Sequence, residues 1–408
     1  MIKLRYIAPS GTPISILDLI IYTFDCITKK NRSHELKQAI CYKYNIKHCF
    51  LMSSARAAMA MLFVILKKNT SNKQRNEIIL PSYTCYSVPA AAEIADLKVR
   101  ICDINPQTLG YDLDQLNSVD FSNVLAIVTA NLYGNPDDLS ALEAIASKHN
   151  VILLDDSAQS MNARIDGRYA GTFGDIGLYS LDKGKNITSI QGGIIVTNND
   201  KLAELIKLEI DKLPEPSFKQ KIVESIKLVI YSILLRPWLY WIPANISALG
   251  LGNTIYTTDY LFTKYSKHLA SISFRLFSKI DKITSQRCQN AKKIRNALNS
   301  VTGIEQIKIL DNANSCCLRL AIIINDSEAR NKLIESLHII GIGATPSYPM
   351  SIAELNEVSK FTSIHNHKSD NGQYIAKHII TIPTSPYLNN SDIFAIKKLF
   401  IKHLVTNI

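Results

Sequence analysis

The sequence lacks any metal-ligand pattern. Its eight cysteines (Cys26, Cys41, Cys49, Cys85, Cys102, Cys288, Cys316 and Cys317) form no CxxC pair, and no His/Cys cluster has zinc spacing. Several lie inside apolar runs, where free cysteine behaves as a small hydrophobe. They read as reduced, in a cytosolic chain, and no metal site is expected. No Lys/Arg-rich run interleaved with aromatics appears, so a nucleic-acid footprint is not expected. The N-terminal stretch MIKLRYIAPSGTP has no continuous apolar core before Pro9, so no secretory leader is expected either. Repeats and low-complexity tracts are missing. The apolar run Leu228 to Leu235 is bounded by Lys227 and Arg236, too short and interrupted to span a bilayer.

What is present is an ordinary globular balance, 47% hydrophobic and 20% charged, over 408 residues. That length suits two or three domains. The surplus of basic residues gives a formal net charge of +11. It reads as a solvated basic surface or as a match to anionic partners such as phosphorylated substrates or acidic lipid.

Short apolar strands alternate with helical stretches of 10–14 residues. Helix 33–44, with Ser33 as its cap, leads to a strand His48 to Met52. Ser53 and Ser54 then open a long apolar helix to about Leu66, buried on most sides. Further strands are expected at 78–80, 99–104, 124–129, 151–156, 176–180 and 193–197, with helices at 87–95 and, capped by Asp137, up to His149. This alternation indicates a mostly parallel sheet covered on both faces. Ligands in such sheets sit at the carboxyl ends of the strands, which gathers Ser53 to Arg56, Tyr83 to Tyr86 and Asp156 around one crevice.

Residues 201–250 break the rhythm. A helix from about Asp200 is followed by a helical stretch from Phe218 to about Tyr240. Trp238, Tyr240 and Trp241 stand beside basic residues, so a membrane-surface contact through residues 228–242 is one reading; a buried helical insertion or a dimer contact is the plainer one. From about Ser271 a second unit begins. Its long helix, Ile280 to Val301, is expected to carry Arg287, Lys292, Lys293 and Arg295 on its polar side. Strands at 305–309 and 317–324, a helix 327–339 and a closing helix 391–404 complete a smaller α+β unit.

Three places carry chemistry. Asp156 ends the apolar strand VILLDD. It is either a turn-forming aspartate or a buried carboxylate facing a cationic heterocycle. Ala158 beyond it is small enough for a flat ring to lie on, and Gln159 offers an amide. Lys185 lies in YSLDKGKNITSIQGG, between the strand end at Ser180 and the pair Gly192-Gly193. A surface lysine is the default reading. A lysine on a tight loop at a sheet edge can instead project into the crevice and act as nucleophile and proton carrier; by position alone Lys183 is its rival. Ser54, Ala55 and Arg56 open a buried helix after a strand, where free backbone amides can receive a phosphate.

With these residues assembled, the chain resembles the DegT/StrS family of pyridoxal-phosphate (PLP) dependent sugar aminotransferases, from about Ser53 to Thr197 and more weakly beyond. Asp155-Asp156-Ser157-Ala158-Gln159 looks like the family's E-D-x-A-Q motif. Ser180 to Gly193 looks like its lysine motif, in a register that selects Lys185 over Lys183. Pro81-Ser-Tyr-Thr-Cys85 resembles a P-x-Y-T-[FC] segment, and Asn131-Leu-Tyr-Gly-Asn-Pro136 an H-L-Y-G-Q-P loop. The chain departs from the pattern at several places. Ala55-Arg56 replaces Gly-Thr, and Ile190-Gln191 replaces Gly-Glu. Met161-Asn162 replaces His-Gly, while Asn131 and Ser385 each replace a histidine. The family's N-Y-R segment is not visible, and an insertion at about 215–260 lies in its place.

The resemblance implies the type I fold of PLP-dependent transferases. That fold has a large α/β domain (residues 1–270) with a mostly parallel, seven-stranded-type sheet flanked by helices, and a smaller C-terminal α+β domain (271–408). It implies pyridoxal 5'-phosphate as cofactor, with Lys185 as the Schiff-base lysine and proton shuttle. Asp156 would pair with the pyridine nitrogen, Gln159 touch the phenolic oxygen and Ala158 pack on one ring face. Cys85 would stand over the other face. Ser54, Ser180 and the amides of Ala55 and Arg56 would hold the phosphate. The implied reaction moves an amino group from an amino acid, glutamate by expectation, to a keto-sugar carried on a nucleotide. The enzyme would be a cytoplasmic homodimer serving amino-sugar or surface-polysaccharide synthesis. Dehydratase-type members lose the lysine, which this chain keeps. A PLP-binding protein without transaminase activity, serving regulation or scaffolding, is the alternative.

Overall fold

The computed structural model describes residues 5–246, 254–363 and 369–404. Its centre is a seven-stranded sheet: β1 (His48–Met52), β2 (Glu77–Pro81), β3 (Lys98–Cys102), β4 (Val124–Val128), β5 (Ile152–Asp156), β6 (Ile176–Ser180) and β7 (Gly193–Thr197). The order across the sheet is β1-β7-β6-β5-β4-β2-β3. Strands β3, β2, β4, β5 and β6 are mutually parallel; β7 runs antiparallel to β6 and to β1. The carboxyl ends of β1, β2, β4, β5 and β6 therefore share one edge with the start of β7. Strand β4, VLAIV, is buried at every position, as a strand covered by helices on both faces must be. Helix Ala55–Asn69 lies within the main core, with Ala57 to Phe63 all buried.

A second, three-stranded antiparallel sheet is built from β8 (Ile304–Gln306), β9 (Arg319–Ile324) and β10 (Ile379–Pro383). Helices Ile280–Leu298, Ser327–Ile339 and Asn390–Leu404 cover it through Ile294, Leu333, Leu337, Ile396 and Phe400. Ile7 joins that core, and the Gly343 amide donates to its carbonyl at 2.9 Å, so the start of the chain packs against its end.

Several local expectations are corrected. Ser33 is the first residue of its helix rather than the cap; its amide donates to the Asn31 side chain at 2.9 Å. Asp138, not Asp137, caps helix Leu139–His149, accepting from the Ala141 amide. Asp137 turns inward to accept from the amides of Tyr111 and Asp138. The stretch 218–240 is two helices, Phe218–Leu234 and Pro237–Ala244. Pro237 lacks the N–H needed to continue the first, and sits where proline is tolerated, at the start of the second. Arg287 is not on a polar face but is fully buried. Helix Ile16–Ile27, helix Asp370–His378 and strand β10 had no counterpart in the sequence reading. Among the described residues no helix is long and apolar enough to cross a membrane, no His/Cys/Asp/Glu group is placed to hold a metal, and all eight cysteines are free.

Candidate active site

The shared strand edge opens into a cleft of about 360 Å³. All nine cofactor-site candidates line it: Ser54, Ala55, Arg56, Cys85, Asp156, Ala158, Gln159, Ser180 and Lys185; of the expected segment Tyr83 to Tyr86, Thr84 and Cys85 line it, while Tyr83 and Tyr86 are buried outside it. Lys183 lines it too.

The turn after β1 shapes one end. Ser54 caps helix Ala55–Asn69, its hydroxyl accepting from the Ala57 amide at 3.1 Å. The Ala55 and Arg56 amides, in the first turn, have no intrahelical acceptor. Gly193, paired with both Met52 and Ser180, sits directly beneath. A Cβ there would lie 2.6 Å from the Ala55 nitrogen and from the Ser54 carbonyl oxygen. Only glycine lets the helix start settle this close to the sheet, leaving a cradle of backbone donors suited to an anion.

Side chains alternate along β5, so its two aspartates serve opposite faces. Asp155 is fully buried and accepts from Ser157 Oγ at 2.9 Å and Asn131 Nδ2 at 2.8 Å. Asp156 lines the cleft. Its Oδ1 accepts from the Ala158 amide at 3.0 Å, and no hydrogen bond reaches its Oδ2 among the described residues. Burial pushes the Asp156 carboxyl up to about 6; the Ala158 amide and the positive charge of Lys185 pull the other way. A carboxylate short of solvation and of donors, in a cleft, is matched to a positively charged N–H partner.

The loop from Leu181 to Gly192 carries Lys185. Its backbone is pinned from outside the loop: the Thr12 hydroxyl lies 3.0 Å from the Lys185 carbonyl oxygen and 2.7 Å from that of Asn186. The Asn186 side chain donates to the Met161 carbonyl at 2.7 Å. Lys183 has its carbonyl held by Tyr231 Oη at 2.8 Å. Both lysines reach the cleft, but it is the charge of Lys185 that Asp156 feels.

Gln159 is oriented by two partners. The Tyr133 amide can only donate, so it faces Oε1, at 3.2 Å; Nε2 then donates to Tyr348 Oη at 2.8 Å. One N–H of the amide remains for a ligand. Asn131 spends its amide group on Thr129, Asp155 and the Asp156 carbonyl, and its oxygen accepts from the Asp137 amide at 2.9 Å. It braces the acidic strand end.

Sequence reading missed several contributors to this region, among them Tyr348, which holds Gln159, and Lys227, Asp259 and Tyr260, which line the cleft. The Arg56 guanidinium lies 5.9 Å from the Tyr260 ring centre. These four come from segments far along the chain with no local signature, and only the fold brings them in.

The donor set fits PLP: backbone amides over Gly193 for a phosphate, an under-solvated acid for a pyridinium nitrogen, an amide for a phenolic oxygen and a primary amine for an aldehyde.

Comparison with known proteins agrees. The sequence profile described as the DegT/DnrJ/EryC1/StrS aminotransferase family matches residues 21–230 and 246–399. GDP-4-keto-6-deoxy-D-mannose 3-dehydratase of Yersinia pseudotuberculosis is 30% identical over 165 residues, which is 40% of this chain and 42% of that protein. The aligned stretch thus spans under half of that curated relative. Among solved structures, Helicobacter pylori PseC, an aminotransferase involved in pseudoaminic acid biosynthesis, superposes with a TM-score of 0.79 at 16% identity, covering 98% of this chain and all of that one (100%). E. coli GDP-4-keto-6-deoxy-D-mannose-3-dehydratase with bound hydrated PLP gives 0.76 at 19% identity, over 98% and 100% of the two chains. At such identities the likeness establishes the fold, the type I fold of PLP-dependent aminotransferases.

Proposed function

Because the chain belongs to the DegT/DnrJ/EryC1/StrS aminotransferase family, we propose that it is a PLP-dependent aminotransferase. The donor is an amino acid, glutamate by expectation, and the acceptor a keto-sugar carried on a nucleotide. The observation that carries this reading is the convergence of Asp156, Lys185 and the free amides of Ala55 and Arg56 on one cleft, with Asp156 responding to the charge of Lys185.

Bound there, PLP supplies an aldehyde that condenses with amines and a pyridinium ring that takes up the electron pair left when a Cα–H bond breaks. The chain's own residues do the rest. Asp156, part-buried at the strand end, would hold the ring nitrogen protonated. The amides of Ala55 and Arg56, with the Ser54 and Ser180 hydroxyls, would anchor the phosphate. Ala158 and Cys85 would bound the ring faces, and Gln159 would donate to the phenolic oxygen. The Lys185 amine would attach the cofactor and, once released, carry the proton from Cα of the donor.

The Yersinia relative is named as a dehydratase. Retention of Lys185, which dehydratase-type members lose, favours amino transfer. The altered positions Ile190, Gln191, Asn131 and Ser385 leave one competing reading, a PLP-binding protein without transaminase activity. Adding glutamate to the cofactor-loaded protein separates them. Loss of the visible absorbance of the bound cofactor supports transamination, and an unchanged spectrum overturns it.

A homodimer, a division into domains 1–270 and 271–408, and a cytoplasmic location belong to the same proposal, as does a peripheral membrane contact through residues 228–242.

A further inference from the structure

Two helices of this protein are turned inside out. Helix Ile16–Ile27 presents Ile16, Leu17, Ile20, Phe24 and Ile27 to solvent, with Ile20 59% and Phe24 62% exposed, while its two acids, Asp18 and Asp25, are 1% and 3% exposed. Asp18 accepts from Arg275 Nε at 2.8 Å and from Lys279 Nζ at 2.6 Å. Asp25 accepts from Arg32 Nε at 3.0 Å and Ser271 Oγ at 2.7 Å.

Helix Phe218–Leu234 repeats the inversion. Glu224 is buried, accepting from Gln191 Nε2 at 2.6 Å and Gln220 Nε2 at 2.9 Å. Ile222, Val223, Ile226, Val229, Ile230 and Ile233 open to solvent, Ile226 by 52%. Their spacing places them on one helical stripe. The two helices lie side by side, Tyr22 Oη standing 2.8 Å from Ser225 Oγ, so their outward stripes adjoin. Helix Pro237–Ala244 follows with an exposed Trp238.

A water-facing helix buries its apolar side and exposes its charges. A contiguous apolar patch with the opposite arrangement marks a contact surface. Charge selects its occupant. Lys29, Lys30, Lys219, Lys221 and Arg236 border the stripes and enter no ion pair among the described residues, while every acid of the three helices is buried. A second copy would set this basic rim against itself, which like-charge repulsion opposes. An anionic lipid surface complements it, and a rim of Lys and Arg with tryptophan at headgroup depth is the pattern of helices that lie in an interface.

We propose that helices Ile16–Ile27 and Phe218–Leu234 together form a docking face for an anionic bilayer surface, lying in the interface and not crossing it. Lys227 lines the active-site cleft from the second helix, so docking would set the mouth of the cleft beside the lipid headgroups.

The test is co-sedimentation of the full chain with phosphatidylcholine vesicles, with and without phosphatidylglycerol. Binding to the anionic vesicles, at least about tenfold weaker on neutral ones and weakened by salt, is expected. The triple variant Ile20→Glu, Phe24→Glu, Ile226→Glu should lose binding by a similar factor, with circular dichroism unchanged. Should it fail to fold, the pair Lys219→Glu, Lys221→Glu, both outside the core, should weaken binding to anionic vesicles alone. Equal sedimentation with both vesicle types, no sedimentation, or variants that bind like the parent each overturn the proposal. So does a fall in particle mass by light scattering in the triple variant, which would assign the face to a second copy. The glutamate half-reaction is read in solution, so its outcome is independent of this one.

Discussion

Arg287 donates through Nη2 to Thr12 Oγ1 at 3.1 Å, and through that hydroxyl it reaches the backbone of the Lys185 loop. The guanidinium is fully buried and has no carboxylate partner among the described residues; it is held by the Gly11 and Leu318 carbonyls at 2.8 and 3.2 Å. Burial lowers its pKa. Removing the Thr12 hydroxyl strands a carbonyl and a guanidinium N–H in the interior. We expect Thr12→Val to cost about 1–3 kcal/mol in urea unfolding and to slow borohydride trapping of the cofactor, with Thr12→Ser near the parent in both. Lower stability with an unchanged trapping rate would make Thr12 a structural residue only.

Trapping also separates the two lysines of the loop. Both reach the cleft, but it is the charge of Lys185 that pulls the Asp156 carboxyl down. Lys185→Ala should abolish covalent capture of the cofactor by borohydride, and Lys183→Ala should leave it. Mass spectrometry of the reduced protein reads this directly; cofactor still attached in Lys185→Ala would place the reactive amine elsewhere.

Asp156 gives a prediction with a sign. Its folded-state pKa is raised from 3.8 to about 6 by burial. The folded state therefore binds its proton more tightly than the unfolded state does. The resulting stability is present below about pH 4 and is lost as pH rises through 6. Asp156→Asn removes the ionisation. In the cofactor-free protein the variant should gain on the parent by up to about 3 kcal/mol at pH 7, at 1.36 kcal/mol per pK unit, and the gain should vanish near pH 4. With cofactor loaded, turnover should fall by orders of magnitude while PLP stays bound. A stability difference independent of pH, or unchanged turnover, would show that the carboxylate has only a structural part.

The strands bearing the site were legible because their ends are marked chemically. Strand β6 stops at Ser180 and β7 starts at Gly193, both as expected from an apolar run meeting a serine and a glycine pair. Helix Ile16–Ile27 was not legible, because its acids face inward, Asp18 to Arg275 and Lys279 and Asp25 to Arg32 and Ser271, and its apolar side faces out. Periodicity reports a stripe but not which way it points. Arg287 was misplaced for a related reason: an arginine on a helix reads as solvated, and its burial is explained by partners distant in sequence, the Gly11 and Leu318 carbonyls and the Thr12 hydroxyl. The role of Tyr348 depends on one hydrogen bond to Gln159, which no local pattern encodes.

That bond has its own test. Tyr348 is buried against Tyr83 and Tyr86, and its backbone amide donates to Tyr83 Oη at 3.2 Å. Tyr348→Phe keeps the ring packing and frees the Gln159 amide. We expect a loss of about 1 kcal/mol and a shift in the absorption maximum of the bound cofactor, since Gln159 would face its phenolic oxygen. Gln159→Ala should reproduce the spectral shift, and Tyr348→Phe should add nothing to it. An unshifted spectrum in both variants would remove Gln159 from contact with the ring.

Ile190 stands where the resembling family carries glycine, and it keeps the backbone glycine would take, with φ at 68°. A β-branched residue in the left-handed region costs about 1–2 kcal/mol. Against that, the side chain is buried at the cleft wall, and deleting a buried isoleucine costs about 2–5 kcal/mol. Burial outweighs strain, so Ile190→Gly should destabilise the protein despite relieving the backbone. Ile190→Ala should be worse still, because alanine gives up most of the burial and keeps the strain. Urea midpoints in the order parent, Ile190→Gly, Ile190→Ala are the expected result. A glycine variant more stable than the parent would mean that the backbone strain exceeds what burial returns, and that Ile190 is kept for the shape it gives the cleft.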